Sequence, residues 1–176
     1  MLIMRAHLTA VGRRVASCVA VILLAACSRP IADVATGPDA SAHAARADFR
    51  IVMERDGGLG SLWIRESVDG ATGQWLATTH RICSVPQCQA AMDSATGTFD
   101  AATIASLMET VDFARLWTLA DDYGRTPNSA DMMDHTLKVR YDGRDKTVHG
   151  DDGTFPEPAR RVSTALHEAI WKARGR

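Results

Sequence analysis

HTLKVRYDGRDKTVH, residues 135–149, decides the fold. Leu137, Val139 and Tyr141 alternate with Thr136, Lys138 and Arg140. That is the period-two pattern of a strand with one buried face. Asp142-Gly143 follows, a strong hairpin signal, because the tightest strand-to-strand turns need positive φ at their central residues. Lys146 to His149 should then return antiparallel.

Working outward, the most regular element lies downstream. Val162, Ala165, Leu166, Ala169, Ile170 and Ala173 recur at helical spacing, Pro156 and Pro158 mark the entry, and Gly175 marks the exit. Burying Val162, Leu166 and Ile170 against a sheet contributes about 5 kcal/mol gross. Upstream, Asp121 to Asp131 (DDYGRTPNSAD) reads as a polar loop, and Asp112 to Ala120 as a short helix with Phe113, Leu116 and Trp117 facing inward. A longer helix precedes it. Asp100 is its N-cap, Phe99 and Ile104 occupy the hydrophobic-staple positions, and Ile104, Leu107, Met108 and Val111 share one face. Three strand candidates come first: Phe49 to Glu54, Leu59 to Ser67 and Gln74 to Ile82. Val68 to Gly73 is a turn-rich link, and Cys83 to Gly97 reads as a loop. The predicted order β-β-β-α-α-β-β-α belongs to the α+β class, an antiparallel sheet with helices packed on one face.

The N-terminal part has a different character. Arg5, Arg13 and Arg14 precede an apolar run, Val15 to Ala26, of signal-sequence length and too short to span a bilayer. Leu24-Ala25-Ala26-Cys27 resembles the lipobox of bacterial lipoproteins, which implies cleavage after residue 26 and lipidation of Cys27. An ordinary secretory signal with a chance cysteine is the alternative. Ser28 rather than Asp follows the cysteine, which implies the outer membrane by the sorting rule of such lipoproteins. Residues 27–47 (after Cys27, SRPIADVATGPDASAHAARA) read as a tether with a reach of about 25 Å, and residues 48–176 as one domain. Removing the signal takes away three basic residues and no acidic one, leaving 17 against 21 and a formal net charge of −4. That balance argues against nucleic acid as a partner. Cys18 leaves with the signal, so Cys83 and Cys88 of CSVPQC remain, and in an oxidising periplasm they should pair.

Motifs for chemistry are sparse. GGLGS (residues 57–61) lacks the last glycine of a dinucleotide fingerprint, since Trp63 stands there, and a strand rather than a helix follows it. It reads as a hairpin turn. Asp134-His135 at a strand start and His149-Gly150-Asp151-Asp152 at a strand end could each be half of an acid/base pair but read as solvated surface groups, and His167 as a boundary residue of the last helix. The acidic residues of the Asp121–Asp134 stretch are too widely spaced for a calcium loop. Neither a metal set nor a cofactor motif is read, and an enzyme is not expected.

Arg55-Asp56-Gly57-Gly58-Leu59, the helix Asp100 to Val111, Asp112-Phe113, Asp131 ahead of His135 to Tyr141, and the helix Pro158 to Ala173 follow one another in a telling order. Together they resemble the emfourin family, small bacterial inhibitors of thermolysin-like metalloproteases such as protealysin. Leu59 stands where that family carries an aromatic residue, and Val68 to Gly97 is longer than its connector. The resemblance implies a thermolysin-like metalloprotease as partner, with the membrane held through the lipid anchor. Asp56, Gly57, Gly58 and Leu59 of one loop, and Tyr123 and Asp131 of another, are the candidate binding residues. The alternative is a non-inhibitory envelope lipoprotein that binds a protein or ligand through the hairpin around Gln74 to Ile82, for which an exposed Trp75 would speak.

Overall fold

The computed structural model describes residues 46–58, 61–81 and 90–175. Cys27, Leu59, Cys83 and Cys88 lie outside the described residues, and with them the expected lipidation and disulfide. Six strands form one antiparallel sheet: β1 (Arg50–Gly57), β2 (Leu62–Asp69), β3 (Gln74–Arg81), β4 (Ala91–Thr98), β5 (Met133–Tyr141) and β6 (Arg144–Asp151), in the spatial order β4-β3-β2-β1-β5-β6. Helix α1 (Ala101–Ala114) and a 3-10 turn (Leu116–Thr118) join β4 to β5, and helix α2 (Glu157–Ala173) follows β6. The protein is a mixed α+β fold, with a strand more and a helix fewer than the sequence pattern predicts. The extra strand is β4, inside the stretch read as a loop. The segment read as a second helix is the last turn of α1 followed by the 3-10 turn.

Register explains the core. Ile51 pairs across to Val68 and Val139, and Met53 to Leu137, which in turn faces Val148. These residues share one face, and they join Ile104, Leu107 and Val111 of α1 and Val162, Leu166 and Ile170 of α2 in a single apolar cluster. The opposite face is polar. There Glu54 binds Lys138 at 3.1 Å and Arg65 at 3.5 Å.

Asp100 caps α1 as expected, accepting from the Thr103 N–H at 2.7 Å. The helix ends when Arg115 takes φ +48° and donates its N–H to the Asp112 carbonyl. Running on past Asp112 turns Phe113 outward, and it is 72% exposed rather than buried as predicted. Leu116 is buried and Trp117 packs at the rim of the core beneath the Arg144 guanidinium, 4.6 Å from its ring.

Trp75 is also buried, so the exposed aromatic that would speak for the alternative reading is not there. It stacks on Phe99 at 5.9 Å and lies over Gly97, where a Cβ would meet its ring at 2.6 Å. One carboxylate breaks the apolar pattern of the helix-facing side. Glu66 is 3% exposed and is held by Arg55 at 2.6 Å and by His167 Nδ1 of α2 at 2.5 Å. Both of its oxygens are engaged, which is what a buried charge requires. Among the described residues no helix is long and apolar enough to cross a membrane.

Candidate binding surface

At one end of the sheet, β1 and β2 are joined by the glycine turn and β5 begins beside it. Gly57 lies opposite both Leu62 and Met133, and Asp56 opposite both Trp63 and Asp134. Gly57 and Gly58 have φ of +110° and +75°, a region that side-chain-bearing residues avoid. The neighbouring backbone adds a second reason for glycine. A Cβ on Gly57 would stand 3.3 Å from the Met132 carbonyl oxygen, and one on Gly58 would touch the Met133 side chain at 3.4 Å. The Ser61 N–H donates to the Gly58 carbonyl at 3.1 Å and closes the turn. The glycine turn is thus packed directly on the strip Asp131–Met133.

Asp152, just after β6, holds that strip, while Asp151, the last residue of β6, ties the loop beside it. Asp151 is fully buried and accepts from the Thr126 N–H (2.6 Å) and hydroxyl (2.8 Å), the Gly153 N–H (2.9 Å), and the Thr154 N–H (2.9 Å) and hydroxyl (3.0 Å). Burial works against its charged form. The donors from Thr126 and Thr154 overcome that and hold the carboxyl well below its ordinary value. Asp152 takes the Met133 N–H at 2.9 Å and His135 Nε2 at 2.6 Å, and returns its own N–H to the Met133 carbonyl at 3.1 Å. It too is held low: burial opposes the charge, and the His135 and Met133 hydrogen bonds and the His135 and Arg160 charges outweigh it. Arg125 pairs with Asp134.

His135 is therefore not the solvated group expected from the sequence. Its side chain is 12% exposed and stacks on Phe155 at 5.1 Å. Asp151, also read as a surface residue, is the buried post around which the loop is tied.

The structure brings Asp56, Gly57, Gly58 and Asp131 together, with both aspartates exposed. Tyr123 sits elsewhere. Its N–H donates to the His149 carbonyl at 2.9 Å, and the His149 N–H donates to the Asp121 carbonyl at 2.8 Å. Asp122 thus bridges His149 in parallel, at one point of the outer edge of β6. Sequence reasoning missed Met132, Met133 and Asp151. Asp151-Asp152-Gly153-Thr154 carried a signal for the last of these, since Asp with Gly and Thr two and three positions on is the composition of an Asx turn.

Among the described residues no group of three or more His, Cys, Asp or Glu side chains is placed to hold a metal ion. The surface offers two exposed carboxylates beside a close-packed pair of glycines. No protein-family model matches the chain, and no curated protein matches it either.

Proposed function

We propose that the chain is an outer-membrane lipoprotein, anchored through Cys27, whose domain inhibits thermolysin-like metalloproteases in the envelope. Cys83 and Cys88 form its disulfide under this reading. The observation that carries the proposal is the packing of the Gly57-Gly58 turn on Asp131–Met133. It sets Gly57 and Gly58 of one candidate loop against Asp131 of the other. A protein inhibitor gains affinity from loops that lose little freedom on binding, and the close packing of Gly57 and Gly58 supports that reading. Asp56 and Asp131 supply the exposed carboxylates that would centre the contact.

The test is titration of the full chain against a thermolysin-like protease. Stoichiometric inhibition is expected, and Asp56→Ala or Asp131→Ala should weaken it by about tenfold or more without moving the melting temperature, as for residues that centre an interface. Absence of inhibition at micromolar concentrations would remove the proposal.

A further inference from the structure

The described methionines differ sharply in their surroundings. Met53 is fully buried in the core, and Met92 is 73% exposed on β4. Met108 packs against the core cluster from its margin. Met132 and Met133 are half-buried where β5 begins. Met132 meets the glycine turn through its carbonyl oxygen, and Met133 meets it with its side chain. The Met133 Cγ, one bond from the sulfur, lies 3.4 Å from where a Cβ on Gly58 would stand.

The backbone of Met133 is fixed. Its N–H donates to the Asp152 carboxylate at 2.9 Å, and its carbonyl accepts from the Asp152 N–H at 3.1 Å. The first of these is a charge-assisted bond, the stronger kind. The turn opposite is closed by the neutral bond from the Ser61 N–H to the Gly58 carbonyl, at 3.1 Å, and passes through two residues of positive φ. An atom added to the Met133 side chain therefore displaces the turn rather than β5.

We propose that Met133 is an oxidation switch of the glycine turn, with a peroxide as the oxidant. The thioether sulfur attacks one peroxide oxygen. The O–O bond breaks as the S–O bond forms, and the departing oxygen takes the proton of the transferred one and leaves as water. Sulfur gives up two electrons and the peroxide gains them. The product is a sulfoxide, larger and polar where the thioether was apolar, which disrupts packed sites. Its oxygen stands on the atom next to Cγ, where Gly58 leaves no room. The turn shifts, and Gly57 and Gly58 lose their places against Asp131–Met133. Burial keeps the oxidant from Met53, while Met92 lies outside the core cluster, so its oxidation displaces nothing there. The consequence for function rests on the inhibitor reading: peroxide relaxes inhibition, and a methionine sulfoxide reductase, with two thiols supplying the electrons, restores it.

The experiment treats the full, lipidated chain in detergent micelles with dilute hydrogen peroxide and maps the oxidised positions by mass spectrometry. Thermal melts and protease inhibition are measured on the same samples. Treated parent chain is expected to carry one added oxygen on Met133, to melt about 3 °C lower, and to have an inhibition constant raised about tenfold. The reductase should reverse all three. Met133→Leu keeps the volume and has no sulfur, so it should hold its melting temperature and its inhibition through the same treatment. Met92→Leu should lose both as the parent does. Met133 left reduced while Met92 is fully oxidised, or a Met133→Leu chain that loses as much as the parent, would overturn the proposal. The melt needs no protease, so a failure of the inhibitor reading shows separately, as an untreated chain that does not inhibit, and the melting shift still decides the switch.

Discussion

Gly57 combines a backbone at φ +110° with a carbonyl oxygen 3.3 Å from where a Cβ would sit. Alanine there must relax the turn, push back Met132, or both. Gly57→Ala should therefore cost roughly 1–3 kcal/mol in urea denaturation and weaken inhibition more than an equally destabilising change in the core. Asp151 makes a different demand. With five donors around one carboxylate, its pKa in the folded protein lies below the ordinary 3.8. A depressed carboxyl stabilises the fold above its unfolded pKa, and that stability is lost as pH falls from 3.8 toward the folded value. Asp151→Asn keeps the shape but turns an amide toward N–H donors. The variant should melt lower than the parent at neutral pH, and the gap should narrow as thermal melts are taken below about pH 4. A gap that stays constant across that range would show that the charge of Asp151 contributes nothing.

The same logic applies between elements at Glu66. It sits on the helix-facing side of β2, and Arg55 of β1 and His167 of α2 both bind it. Removing one partner strands a buried charge, while removing the pair does not. Arg55→Met should cost roughly 3 kcal/mol, and Arg55→Met with Glu66→Leu should recover most of that loss, because His167 is 40% exposed and can turn to water. A double-mutant cycle followed by urea denaturation measures the difference. How far the elements were legible depends on what each one buries. The β5–β6 hairpin and α2 each bury one clean face, so periodicity found them. β4 buries little on either side, so Ala91–Thr98 has no hydrophobic alternation to read. Phe113 was misread because its direction depends on where α1 stops, and Arg115, which stops it, carries no breaker signal. The buried Asp151 was hidden for another reason: Thr126, which binds it through both its N–H and its hydroxyl, is 25 residues away in the chain.

At the scale of the whole molecule, the chain enters the sheet at the end opposite the glycine turn. The Phe49 N–H donates to the Arg46 carbonyl at 3.1 Å, and the Gly70 N–H to the Phe49 carbonyl at 2.7 Å. Asp48 accepts from Arg140 Nε at 2.7 Å and from the Gly143 N–H at 2.6 Å, which fastens the entry to the β5–β6 turn. The Gly143 N–H and the Arg140 guanidinium hold the Asp48 carboxyl below its ordinary value. The eight residues of β1 separate this entry from Gly57, a span of roughly 25 Å. Under the proposed function, an anchor upstream of residue 46 would therefore pull on one end of the sheet while Asp56, Gly58 and Asp131 occupy the other. Lipid attachment and inhibition should then be independent. A chain lacking residues 1–45 is expected to fold with the parent's melting temperature, to leave the membrane fraction, and to inhibit a thermolysin-like protease with an inhibition constant within about twofold of the full chain's, since the candidate contact residues all lie downstream of residue 46. Loss of inhibition in that shortened chain, with its melting curve intact, would mean that the segment before residue 46 takes part in binding and that the Gly57–Asp131 end does not act alone.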